Sequence, residues 1–114
     1  MTAIDTRSAW ATLGRPLRLG VIGGGPGGAT AARYLAKDSE GKLDVVLVEP
    51  KKQFTTCFHS NLYVGDFKKF EEITHGYEKI AAQGVRMNHQ MANSIDRDKK
   101  EVVLADGSRL SYDR

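Results

Sequence analysis

The sequence predicts an α/β fold in which a parallel sheet is followed by a small antiparallel β-meander, and three observations predict it. An apolar run over Leu17–Gly23 leads into the glycine-rich turn Gly23-Gly-Gly-Pro-Gly-Gly28 and an Ala-rich segment. A second apolar run, Leu43–Glu49, ends in a carboxylate. Beyond Met91 the pattern changes to short strand-like segments separated by turn residues.

Each element follows from local chemistry. Leu17–Gly23 reads as the first strand and Gly27–Lys37 as the first helix, with Asp38–Lys42 turning the chain back. Leu43–Glu49 alternates little and is rich in Val and Leu, as a strand buried on both faces should be. A β-α-β unit of this length requires a right-handed crossover and a parallel pair. Pro50 stops the second strand, and Lys51–Asp66 has no clean period, which predicts a loop with one helical turn. Phe67–Ile73 and Thr74–Gln83 read as short helices, with Thr74 the expected N-cap of the second. Gly84 closes that helix and Val85–His89 is the third parallel strand. Met91–Ile95, Lys100–Leu104 and Arg109–Tyr112 form the meander, and Asp106-Gly107 is a hairpin turn.

The glycine turn carries the chemistry. Gly23 lets the chain leave the strand sharply, where a positive φ is needed. Gly25 leaves the backbone bare, so that a pyrophosphate can approach the amides that open the helix. Gly28 lets the helix lie close to the sheet, and Ala32, one turn on, keeps the same face small. The orphan N–H groups and the positive end of the helix dipole then favour two phosphates. Glu49 lies about 20 residues beyond the turn, the place for a carboxylate that accepts ribose hydroxyls. A carboxylate there repels a 2′-phosphate, which disfavours NADP. A lone G-x-G-x-x-G is weak evidence, and a glycine-rich turn of another α/β protein is the competing reading. The flanking strand, helix and acid-ended strand favour a Rossmann-like dinucleotide site.

Composition narrows the class. With 114 residues the chain can form one small domain: residues 17–114, preceded by a leader over residues 1–16 that is expected to be flexible. Trp10 and Leu13 are the residues that would dock this leader. The content is that of a globular protein, 40% hydrophobic and 27% charged, and no apolar run is long enough for a membrane span. Net charge is +3, carried by dispersed residues and isolated lysine pairs, which argues against a nucleic-acid groove. A single cysteine excludes an internal disulfide, and one cysteine with three histidines shows no metal-ligand spacing. The first residues lack a signal-peptide pattern, so the expected location is cytoplasmic. Ser111-Tyr-Asp-Arg114 is followed by no turn or capping signal, so the chain reads as the N-terminal piece of a larger protein, an incomplete dinucleotide-binding domain.

Within this frame Val48-Glu-Pro-Lys51, Phe54-Thr-Thr-Cys-Phe-His-Ser-Asn61, Gly65, Thr74-His-Gly-Tyr77, Gly84-Val85 and Ile95-Asp-Arg-Asp-Lys-Lys100 resemble a known family. It is the flavin-binding subunit of flavocytochrome c sulfide dehydrogenase. Sulfide:quinone oxidoreductases are near relatives, and both belong to the FAD-dependent pyridine nucleotide-disulfide oxidoreductase superfamily. The resemblance runs from Leu17 to Arg114 and covers about the first quarter of such a subunit.

It implies an oxidoreductase whose FAD is held in extended form, its ADP half on Gly23, Gly25, Pro26, Gly27, Gly28 and Glu49. Pro50, Lys51 and Asn61 are the further contacts it implies, with Ala92 beside the adenine. In that family the cysteine of the Thr-Cys-x-x-Ser-Asn stretch is joined by a thioether to the flavin 8α-methyl, and Cys57 occupies that position. The family oxidises sulfide through two later cysteines and passes electrons to a c-type cytochrome partner, or to a quinone in the relatives. Those later cysteines are not in this sequence, so no catalytic residue is assigned within it. The family is usually exported, which would make the protein periplasmic.

The remaining residues have bland readings beside these. Cys57 could be an idle thiol, since a free cysteine is often only a small hydrophobe. His59 reads as a solvent-facing loop histidine, His75 as structural, capping or surface, and His89 as packed or exposed. Ser60-Asn61 could hydrogen-bond the flavin region or form a turn. Two other functions stay open: a different disulfide-reductase-type oxidoreductase, and a truncated nucleotide-binding chain without activity.

Overall fold

A computed structural model describes residues 14–114. The expected docking residues Trp10 and Leu13, with the rest of residues 1–13, lie outside the described residues. The elements are β1 (Leu17–Ile22), α1 (Pro26–Asp38), β2 (Leu43–Val48), β3 (Gln53–Thr55), a 3-10 turn (Cys57–His59) and α2 (Ser60–Val64). A second 3-10 turn (Phe70–Ile73), β4 (Thr74–Gly76), α3 (Glu78–Ala82), β5 (Arg86–Asn88), β6 (Ala92–Asp96), β7 (Glu101–Leu104) and β8 (Arg109–Ser111) follow.

The parallel sheet has the order β1-β2-β5, with Leu17 opposite Leu43 and Ile22 opposite Val48. β2 is central and presents alternate residues to two cores. Val45 and Leu47 pack with Leu17, Leu19, Ala32, Tyr77 and Val85 on the helix side. Val46 and Val48 pack with Val102 and Leu104 of the meander on the other. A strand buried on both faces has little reason to alternate in hydropathy, so the expectation for Leu43–Glu49 is met. Burying each such side chain contributes about 1.5–3 kcal/mol.

α1 begins with Pro26 at its first position and ends with Lys37 in its last turn, both favourable placements. Glu40 and Gly41 take positive φ values of 52° and 81° and reverse the chain into β2. The meander pairs β6-β7-β8 antiparallel, and Gly107, at φ 84°, turns β7 into β8.

Two expectations are corrected. Lys51–Asp66 is more than a loop with a helical turn, because Gln53–Thr55 pairs antiparallel with Thr74–Gly76 as a two-stranded arm. Thr74 is therefore a strand residue and not a helix cap. Its hydroxyl donates to Phe70 O and meets Thr55 Oγ1 across the pair. Tyr77 takes the N-cap position of α3 instead. Three-residue strands carry too little periodicity to announce themselves, and tertiary pairing overrode the hydroxyl's preference for a cap.

Outside the named strands, Asp113 and Arg114 close on the free edge of β1. Arg114 N donates to Arg18 O and Gly20 N donates to Arg114 O, the parallel pattern. The Asp113 carboxylate accepts from both nitrogens of the Arg15 fork at 2.7 and 3.0 Å, and from Arg18 N at 2.8 Å. The Arg15 fork foremost, with Arg18 behind it, holds the Asp113 carboxyl far below the usual carboxylate range despite its partial burial.

Candidate functional site

The glycine turn sits where β1 hands over to α1, at the carboxyl end of the parallel strands. Gly23 has φ 99°, the left-handed conformation expected of it. A Cβ on Gly28 would strike the Gly23 carbonyl oxygen, and Val21 lies just behind. Gly28 is therefore the point of closest approach between helix and strand. Ala32, fully buried one turn later, continues the contact.

Gly25 and Gly27 differ from Gly28 in having nothing within 4 Å of a built Cβ, and both are exposed. Gly25 is the N-cap of α1 and offers no side chain to the helix amides. Its own N–H finds no acceptor among the described residues. Open space beside unpartnered amides at the start of a 13-residue helix is the setting in which phosphate oxygens are held.

Glu49 reaches this turn from the end of β2. Its Oε1 accepts from Gly24 N at 3.1 Å and its Oε2 from Lys51 N at 2.8 Å. Each oxygen retains a lone pair for a further donor, so the carboxylate is held in place without being used up. Pro50, which is exposed, and Lys51 follow it. His89 closes the far side, its Nδ1 lying 3.1 Å from Glu49 O and 3.0 Å from Lys51 O. Two acceptors around one nitrogen require a proton there, which places the hydrogen on Nδ1.

Two residues of the site have no part in the glycine fingerprint. Gly24 is buried, and a Cβ there would fall 2.7 Å from the Tyr77 hydroxyl and 2.9 Å from Glu49 Cγ. Tyr77 is 4% exposed, and its hydroxyl donates to Gly24 O at 2.8 Å. Burial first, and then the Glu49 carboxylate, push the Tyr77 phenol above its ordinary value, so it stays a donor. The run of three glycines could have pointed to Gly24. Nothing local pointed to Tyr77, which lies 53 positions away.

The other candidates lie elsewhere. Cys57 opens the first 3-10 turn and is exposed. Asn61 is exposed in α2, and its backbone oxygen accepts from Gly65 N. Both belong to a lobe tied back through Thr56, whose N and Oγ1 both donate to Ile73 O at 2.8 and 2.7 Å. No hydrogen bond among the described residues joins Cys57 or Asn61 to the glycine turn. Ala92 begins β6, pairs with Leu104 and packs against the cluster of Val46, Val48, Val102 and Leu104 beneath the sheet. His59 and His75 are exposed, and the His75 ring lies 5.8 Å from that of Phe54. Among the described residues no cluster of His, Cys, Asp or Glu could hold a metal, and no helix is long and apolar enough to cross a membrane.

The site therefore fits the ADP half of a dinucleotide: bare amides for the phosphates and a braced carboxylate for a ribose. Comparison with known proteins places this geometry. A family model described as pyridine nucleotide-disulphide oxidoreductase matches residues 17–114. Over 44 residues the chain is 52% identical to the sulfide dehydrogenase (flavocytochrome c) flavoprotein chain of Chlorobaculum thiosulfatiphilum, spanning 39% of this chain and 90% of that sequence. Among solved structures, the sulfide:quinone oxidoreductase of the hyperthermophilic bacterium Aquifex aeolicus superposes with a TM-score of 0.75 at 26% identity. That match covers 85% of this chain and 23% of that one. A covalent putidaredoxin reductase–putidaredoxin complex shares the fold, with a TM-score of 0.70 at 22% identity over 88% of this chain and 25% of that one. The chain thus spans about a quarter of the length of these solved structures.

Proposed function

The chain belongs to the pyridine nucleotide-disulphide oxidoreductase family, and from that premise we propose that it is the FAD-binding N-terminal segment of a sulfide-oxidising flavoprotein. The observation that carries the reading is the glycine turn, with its unpartnered Gly25 amide and the braced Glu49 carboxylate beside it. The amides of the turn would hold the pyrophosphate, with Pro26 setting the start of the helix. Glu49 would accept the ribose hydroxyls, steadied by the Lys51 backbone. Pro50 and Ala92 would border the adenosine, and Asn61 the flavin side.

FAD, when bound, supplies a centre that takes up two electrons and releases them singly. Likeness to the sulfide dehydrogenase flavoprotein chain supports sulfide as the electron source and a c-type cytochrome as acceptor. The sulfide:quinone oxidoreductase likeness supports a quinone instead. Cys57 is exposed, which leaves it open to the covalent flavin bond that its place in the Thr-Cys-x-x-Ser-Asn stretch suggests. An exported, periplasmic protein would accord with that resemblance.

The test uses the full-length protein. It should purify with a flavin absorption spectrum that bleaches on addition of sulfide. After acid denaturation the flavin should stay with the polypeptide in the wild type and leave it in Cys57→Ala. A colourless protein that takes up no added FAD overturns the proposal. Flavin released by acid from the wild type overturns the covalent link alone.

A further inference from the structure

We propose that Tyr77 is a positioning residue for the pyrophosphate: by holding the Gly24 carbonyl it aims the Gly25 amide into the phosphate site. The inference rests on the FAD reading above and deepens it. The Gly24 residue is gripped at both ends, its N–H by Glu49 Oε1 at 3.1 Å and its carbonyl by the Tyr77 hydroxyl at 2.8 Å. The described peptide bonds are all trans. In a planar trans peptide the C=O and the following N–H point in opposite directions. Fixing the Gly24 oxygen toward Tyr77 therefore fixes the Gly25 N–H away from it. The Gly25 N–H so directed has no acceptor among the described residues, and a Cβ built on Gly25 would meet nothing within 4 Å.

The phenol is itself held. Its ring packs between those of Phe54, at 5.5 Å, and His89, at 5.8 Å. Phe54 belongs to the β3–β4 arm and His89 is anchored on Glu49 O and Lys51 O. The turn is thus braced from three directions before any ligand arrives, and a glycine turn needs such bracing because its own residues supply no side chains. Removing the hydroxyl would leave a buried carbonyl without its donor and free the peptide to rotate.

The test uses the full-length protein carrying Cys57→Ala, from which flavin can be removed, and compares it with and without Tyr77→Phe, titrated calorimetrically with FAD, ADP and adenosine. Tyr77→Phe keeps the ring contacts and removes only the hydroxyl. FAD and ADP should bind about tenfold more weakly, the loss of one hydrogen bond to a critical group, while adenosine, which has no phosphate, binds as before. Equal loss for adenosine and ADP would make the phenol a general support and overturn the proposal, as would no loss for either. A Cys57→Ala protein with Tyr77 intact that takes neither FAD nor ADP brings down the parent reading and this one with it. Should Tyr77→Phe fail to fold, the amide spectrum of the flavin-free Cys57→Ala protein decides. Inorganic pyrophosphate must shift the Gly25 resonance, and a titration that moves Gly27 and Gly28 but leaves Gly25 still rejects the assignment.

Discussion

The glycine turn and the lobe over Cys57–Phe70 differ in what completes them. At the turn almost every group is answered from within: Gly24 by Glu49 and Tyr77, Glu49 by two amides, and Gly28 by the Gly23 carbonyl it nearly touches. The lobe instead shows Phe58, Tyr63, Val64, Phe67 and Phe70 to solvent, with Val64 83% and Phe67 81% exposed. Its internal contacts are few, such as the edge-on Tyr63–Phe70 pair at 5.7 Å. A nucleotide grip can be braced from within and still leave the Gly25 amide open for a ligand. The lobe's exposed side chains have few such internal partners to answer them.

The contrast can be broken most sharply at Gly28. Gly28→Ala should cost about 3 kcal/mol in urea unfolding, because the added carbon meets backbone that cannot yield, and FAD binding should go with it. A stable, flavin-loaded Gly28→Ala would mean that the helix does not lie where it is described. Glu49→Gln comes next. It should weaken FAD by about 1.5 kcal/mol, roughly tenfold, since a charged acceptor is replaced by a neutral one, and calorimetry on the flavin-free Cys57→Ala protein would read the change.

Asp113 supplies a subtler test. Its carboxyl titrates far lower in the folded chain than in the unfolded one, so its contribution is complete above about pH 4, the unfolded value, and is lost as pH falls further. Stability measured from pH 6 down to pH 2 should therefore drop steeply in the wild type. In Asp113→Asn the drop should be shallower, from a lower starting point. An unchanged acid limb would remove the Arg15–Asp113 pair from the account. The smallest effect belongs to the lobe. Val64→Lys and Phe67→Ser should each change the stability of this chain by no more than about 0.5 kcal/mol in thermal unfolding. A loss several times larger would show that the lobe is packed after all.

The same contrast explains what was legible in the sequence. β1, α1 and β2 announce themselves because the constraints are local: glycines at fixed spacing, an Ala-rich helix and a Val-rich strand buried on both faces. The hairpin at Asp106-Gly107 is equally local. The β3–β4 arm was not legible, because Gln53–Thr55 and Thr74–Gly76 become strands only by meeting each other. Within the site, Gly23, Gly25, Gly28 and Glu49 could be named from spacing and do come together around the turn. Tyr77 could not, because its role depends on how the chain between β2 and β5 folds back. Cys57 and Asn61 were named from resemblance alone, and among the described residues no hydrogen bond links either to the turn.

The contact of Asp113 and Arg114 with β1 has a consequence for the order of events at birth. Arg18 and Asp113 are 95 positions apart, so β1, once made, waits for a neighbour synthesised that much later. At about 5–20 residues per second that interval is roughly 5–20 s, far longer than a helix or hairpin needs to form. During it β1 can pair with β2 but offers an open edge on its other side, with unpaired N–H and C=O groups that invite a foreign strand. The nascent chain is therefore most vulnerable to mispairing along Leu17–Ile22, the strand that ends at its nucleotide turn.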